Sequence, residues 1–221
     1  MPLFKQWKEG DALWGIWKVT ESPEELHAML TEASCVPDEL KQYKSPGRQM
    51  EYLTVRVLLS ALMGREYRIA HFPSGKPFLP DASFHLSVSH TKGYVAVGLH
   101  PTKEIGIDIE QVAERVRKVT SRFVRTDELP GWDNLASTDQ LYELLLVWSA
   151  KESLFKIMNT SEVDFLEHLK VDPFFLQPDA LGSECICKGV FNGHEYRTAE
   201  RKSYEIHYLT HADFVCTYII A

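Results

Sequence analysis

A chain of 221 residues, 44% hydrophobic and 25% charged, has ordinary folded-protein composition and is long enough for one large domain or two small ones. Its formal charge of −7 argues against a general nucleic-acid binder, although a local basic patch is compatible with it. The four cysteines (Cys35, Cys185, Cys187, Cys216) lack paired C-x2-C spacing, which argues against structural zinc and for reduced thiols in a cytoplasmic protein.

The opening Met1–Trp7 lacks the apolar core and cleavage site of a signal peptide, and no apolar run approaches the ~18 residues that span a membrane. Ala12–Val19 reads as a first strand. Ser22-Pro23-Glu24-Glu25 reads as a helix start, with proline at the first helical position and acids in the first turn. A longer helix is expected over Gly47–Met63, with Met50, Leu53, Val57, Leu58 and Ala61 on its apolar side and Gly64 ending it. Phe72–Pro80 is rich in turn residues. Two strands, Phe84–Ser89 and Tyr94–Leu99, flank His90-Thr91-Lys92-Gly93, and a turn at His100-Pro101-Thr102 leads to a third, Ile105–Glu110. Val112–Val124 reads as a basic helix, Pro130-Gly131-Trp132 as a loop, and Asp139–Met158 as a long helix. Glu184–Phe191, Tyr204–Leu209 and Phe214–Ile220 are strand-like. Strands outnumber crossovers, so the expected class is α+β with antiparallel sheets rather than a doubly wound sheet.

The strand Ile105–Glu110 alternates. Ile105, Ile107 and Ile109 share one face, and Gly106, Asp108 and Glu110 the other. Two carboxylates at i and i+2 are roughly 7 Å apart at the backbone and repel unless positive charge lies between them. Mg2+ or Mn2+, hard cations that take oxygen ligands, suit such a pair. On the long helix, Leu141, Leu144, Leu145, Trp148, Phe155 and Met158 recur at helical spacing, and Glu152 falls four residues after Trp148. A carboxylate on an apolar stripe needs a partner or a metal, and Lys156 shares its face one turn on. Three carboxylates and a lysine suggest metal-assisted chemistry on a phosphate or pyrophosphate.

The order Gly75-Lys76-Pro77, Leu86-Ser87-Val88-Ser89-His90, Ile105-Gly106-Ile107-Asp108-Ile109-Glu110 and Trp148-Ser149-Ala150-Lys151-Glu152-Ser153-Leu154-Phe155-Lys156 resembles the 4'-phosphopantetheinyl transferases. The length and the full N-terminal half are similar to the Sfp type rather than the short trimeric type. Arg122-Phe123 followed by Thr126-Asp127-Glu128-Leu129 resembles the family's "RF…E" segment. The likeness runs from about Leu13 to Val171. It implies transfer of 4'-phosphopantetheine from coenzyme A to a serine of an apo acyl or peptidyl carrier protein, with release of 3',5'-ADP and dependence on Mg2+. It also implies two similar α/β halves related by a pseudo-two-fold, with the active-site cleft between them, on one chain that acts as a monomer; thiols, charge and hydropathy separately argue for a cytoplasmic protein that binds neither nucleic acid nor membrane. Residues 1–104 would form the coenzyme A side and residues 105–221 the Mg-binding and catalytic side.

By the same resemblance Asp108, Glu110 and Glu152 are expected to bind the metal. Glu152 would also take the proton from the carrier serine, and Lys156 would stabilise the transferring phosphate. Ser89 and His90 are expected at the 3'-phosphate of coenzyme A, Lys76 and Pro77 near its adenine or phosphates, and Arg48 also at the 3'-phosphate, with Arg56 as the competing arginine. Lys41 and Lys44 are further candidate cations. Lys151, about 100° round the helix from Glu152, is expected to touch phosphate or solvent. The basic run Arg115-Val116-Arg117-Lys118 through Arg122 and Arg125 suits docking of an acidic carrier or a solvated face equally. The family's glycine-rich turn after Lys156 is replaced by Ile157-Met158-Asn159-Thr160-Ser161, and Thr91-Lys92 also departs from its pattern. Two other readings fit the same acids: a magnesium-dependent phosphate-ester hydrolase, and an inactive coenzyme A or carrier-binding module.

Overall fold

The computed structural model describes residues 2–31, 40, 45–132, 136–158, 160, 162–176 and 184–221. Cys35, Lys41, Lys44 and two residues of the segment after Lys156 (Asn159 and Ser161) lie outside them. The architecture is α+β, and the chain divides into two compact units, Met1–Ile105 and Gly106–Ala221. Among the described residues no helix is long and apolar enough to cross a membrane.

In the first unit, β1 (Leu3–Glu9) and β2 (Ala12–Lys18) form a hairpin, and β5 (His85–Thr91) and β6 (Tyr94–His100) form another. They join as an antiparallel sheet in the order β1-β2-β6-β5. A two-stranded ribbon, β3 (Ala70–His71) and β4 (Pro77–Phe78), forms a separate small sheet, with β4 lying against β5. Helix α1 (Pro23–Ala28) starts on a capping box: Glu25 N–H donates to Ser22 Oγ, and Glu25 Oε2 accepts from Ser22 N–H at 2.8 Å. Helix α2 (Pro46–Met63) has proline in its first turn and ends on Gly64 at φ +71°, a left-handed cap that glycine adopts without strain. Its apolar face, led by Leu53, Val57, Leu58, Leu59 and Leu62, packs with Trp17, Val95, Val97 and Leu99 of the sheet. Strand β1 was not read from the sequence.

In the second unit the sheet order is β7-β11-β10-β9-β8, from β7 (Ile105–Gln111), β8 (Leu169–Val171), β9 (Cys187–Glu195), β10 (Ser203–Thr210) and β11 (Phe214–Ile220). Helix α3 (Ser137–Ile157) is buried nearly all round, as a helix with apolar residues on every side must be. It grips β11 through hydroxyls as well as packing: Ser149 Oγ and Ser153 Oγ lie 2.9 and 2.8 Å from Thr217 Oγ1. The segment read as a basic helix over Val112–Val124 is a 3-10 helix over Glu114–Arg122. Val116 and Val119 are three apart and fall on one edge of a helix with three residues per turn.

Candidate active site

Strand β7 lies directly against the backbone of α3. A Cβ on Gly106 would come within 2.2 Å of the Ser153 carbonyl oxygen, so only glycine fits this approach. Asp108, two residues on, is buried and meets Lys156: Lys156 Nζ donates to Asp108 Oδ1 and to the Ile107 carbonyl oxygen, each at 2.8 Å. Glu110 Oε1 accepts from Trp148 Nε1 at 2.9 Å, and Glu110 Oε2 pairs with Arg115 at 3.2 Å. The Trp148 ring is held edge-on to Phe123, with centroids 5.0 Å apart.

The three acids feel one another. Burial, then the charges of Asp108 and Glu110, hold the Glu152 carboxyl up at about 7, with Lys156 pulling the other way. Burial and the Asp108 charge also raise Glu110, opposed by Trp148 and Arg115. Cys216 is buried beside this charge, and desolvation drives its thiol well above the ordinary range. Among the described residues no three His, Cys, Asp or Glu side chains converge closely enough to hold a metal ion as they stand. Asp108 is turned to Lys156, and Glu110 to Trp148 and Arg115. In donor chemistry the set fits Mg2+, since all three are hard oxygen donors whose mutual repulsion a divalent cation would relieve.

Lys151 corrects the reading of it as a ligand-binding cation. It is fully buried and pairs with the fully buried Glu128, Nζ to Oε1, at 2.8 Å. It also donates to the carbonyl oxygens of Phe123 (2.5 Å) and Phe165 (3.0 Å). Glu128 in turn accepts from the backbone N–H of Arg125 (2.6 Å) and of Val171 (2.8 Å). An ammonium removed from water needs such a complete shell, so Lys151 staples α3 to the segment after the 3-10 helix and to β8.

The basic run divides as well. Arg117 is spent internally, on Glu114 (2.5 Å), Gln140 Oε1 (3.2 Å) and the Ser137 carbonyl (2.6 Å), and so ties the 3-10 helix to the first turn of α3. Lys118 and Arg122 are exposed, and Arg125 pairs with Asp127 and donates to the Leu166 carbonyl.

In the first unit, Arg48 on α2 and His90 on β5 meet at one carboxylate. Glu51 Oε2 lies 3.3 Å from Arg48 Nη1 and 3.2 Å from His90 Nε2. Arg56, the competing arginine, is buried, with its guanidinium 3.4 Å from the Tyr52 ring centroid and Nη1 donating to the Tyr52 carbonyl. Ser89 is buried next to His90 in the chain. Lys76 Nζ pairs with Glu104 Oε2 at 2.8 Å, Glu104 Oε1 also meets His85 at 3.2 Å, and Pro77 opens β4. The sequence reading passed over Glu51, Glu104 and the Glu110 contacts of Arg115 and Trp148. Glu51 follows Arg48 at helical i,i+3 spacing, which could have exposed it. Glu104 is far from Lys76 in the chain and leaves no such signal.

The model of the 4'-phosphopantetheinyl transferase superfamily matches residues 104–219, more than half of the chain. A 4'-phosphopantetheinyl transferase of Aneurinibacillus migulanus is 26% identical over 168 residues, covering 62% of this chain and 69% of that protein. The 4'-phosphopantetheinyl transferase AcpT of Escherichia coli K12 is 27% identical over 128 residues, covering 56% of this chain and 66% of its own. A Synechocystis sp. protein carrying the same enzyme name provisionally is 27% identical over 128 residues, 52% of either chain, so the match spans about half of that relative's length. The matched segment contains Asp108, Glu110, Glu128, Lys151, Glu152 and Lys156, and the chain belongs to the 4'-phosphopantetheinyl transferase superfamily.

Proposed function

We propose that this protein transfers 4'-phosphopantetheine from coenzyme A to a serine of an apo acyl or peptidyl carrier protein, with Mg2+, releasing 3',5'-ADP. The observation that carries the reading is the buried Asp108 with Lys156 at 2.8 Å and a Glu152 carboxyl raised to about 7 beside them, all inside the family-matching segment. Asp108, Glu110 and Glu152 would hold the metal, which when bound supplies charge neutralisation at the pyrophosphate.

The serine oxygen attacks the phosphorus that carries pantetheine. A P–O bond to that phosphorus forms, and the P–O bond to the 3',5'-ADP leaving group breaks. Glu152 takes the serine proton, since a carboxyl titrating near neutrality accepts a proton at ordinary pH and can give it up again. Lys156 follows the charge that develops on the transferring phosphate. Arg48, His90 and Ser89 would hold the 3'-phosphate, with Lys76 and Pro77 beside the nucleotide. We further propose a cytoplasmic monomer, with Lys118 and Arg122 meeting the acidic carrier.

The test is the intact mass of a purified apo carrier protein after incubation with this protein, coenzyme A and Mg2+, with and without EDTA. A gain of one phosphopantetheine group, abolished by EDTA, is the expected result. Release of 3',5'-ADP with no gain in carrier mass, on an acyl carrier and on a peptidyl carrier alike, would replace the transferase with a hydrolase.

A further inference from the structure

Among the described residues, Glu51 is an acid that touches two of the proposed 3'-phosphate ligands. Arg48 comes from α2 and His90 from β5, and both converge on the same oxygen, Glu51 Oε2. All three side chains reach solvent, Arg48 being 65% exposed, His90 40% and Glu51 34%. Ion pairs this exposed add little to stability. What the contact does is orient. It draws a long, flexible arginine and an imidazole from separate elements to one point, and it consumes only one donor of each. The guanidinium keeps its remaining N–H groups, and a ring that gives Nε2–H to Glu51 retains Nδ1 for a second partner. In the imidazolium form both ring nitrogens are donors.

We propose that Glu51 is a positioning residue for phosphate-monoester recognition: it sets Arg48 and His90 side by side so that both donate to one phosphate, the 3'-phosphate of coenzyme A. This rests on the reading of Arg48 and His90 as the 3'-phosphate site. The ligand itself contacts Arg48 and His90, and Glu51 acts through them.

The experiment is calorimetric binding of coenzyme A and of 3'-dephospho-coenzyme A to the wild type, Glu51→Ala and Glu51→Gln, with KM and kcat for each in carrier modification. The wild type should prefer coenzyme A. Glu51→Ala should weaken coenzyme A binding by about fivefold, leave 3'-dephospho-coenzyme A as in the wild type, and raise KM without changing kcat. Glu51→Gln, which keeps an oxygen acceptor, should fall between. Equal weakening of both ligands would reduce Glu51 to a structural role and overturn the proposal. Unchanged binding of coenzyme A would overturn it too, and tighter binding would show that Glu51 opposes the phosphate. A wild type that binds the two ligands equally would remove the 3'-phosphate site itself, a failure distinct from an ineffective Glu51 substitution.

Discussion

The Lys156 ammonium bridges the Asp108 carboxylate and the backbone carbonyl of Ile107, so a helix side chain is fixed to both main chain and side chain of the acidic strand. A cation held at two points is placed before any substrate arrives, which is the condition for electrostatic stabilisation of a developing charge. Lys156→Ala should therefore lower kcat for carrier modification by about a hundredfold. Stopped-flow or mass-resolved initial rates would measure it, and a variant within a factor of two of wild type would take Lys156 out of the mechanism.

Glu152 is the acid best suited to move a proton, since burial and its two acidic neighbours keep it at about 7. Glu152→Gln preserves shape and removes the proton acceptor. Activity should fall by about 10²- to 10⁴-fold while coenzyme A binding, read by calorimetry without metal, stays within a few fold. Full activity would transfer the role of base to another group.

Glu143 on α3 is a second raised carboxyl, and no catalytic role calls for it. Burial, with Asp139 adding to it, lifts it from an ordinary 4.5 to about 7. The folded protein thus binds this proton more tightly than the unfolded chain does. The stabilisation is complete below pH 4.5 and is lost as pH rises through 7, with a magnitude of at most about 3 kcal/mol. Glu143→Gln should flatten that part of the stability curve and exceed the wild type above pH 7. Urea midpoints at pH 5 and pH 8 decide it; parallel pH dependence in both proteins would refute the assignment.

Gly106→Ala should destabilise the fold by about 2–3 kcal/mol, because the new methyl meets the backbone carbonyl of Ser153 rather than a side chain that can turn away. The Asp108–Lys156 contact lies two residues along the same strand, so activity should fall further than the folded fraction does. An unchanged denaturation midpoint would mean that β7 and α3 separate at little cost.

Where periodicity was strong, the sequence reading carried through. The alternation of Ile105, Ile107 and Ile109 placed Asp108 and Glu110 on β7, and the spacing of Leu141, Leu144, Leu145 and Trp148 marked α3. Strand β1 escaped notice because Lys5, Gln6, Lys8 and Glu9 fill much of an edge strand whose face is half-solvated. Lys151 was misread for a different reason. Its partner Glu128 is 23 positions away, and no helical or strand spacing announces a pair formed by tertiary packing. Orientation failed similarly at Glu110: its residue type and strand position were legible, but its contacts with Trp148 and Arg115 depend on rotamers and packing.

The Lys151–Glu128 pair also constrains how this chain could diverge. Loss of either residue alone strands a charge in the core at about 3–5 kcal/mol, a large part of the 5–15 kcal/mol by which domains are stable. Replacement of both by apolar residues of matching volume is far milder. Descendants of this sequence therefore face a valley with two habitable sides, one with the ion pair and one with neither charge. Crossing it requires near-simultaneous substitution at two distant codons, or a prior surplus of stability elsewhere.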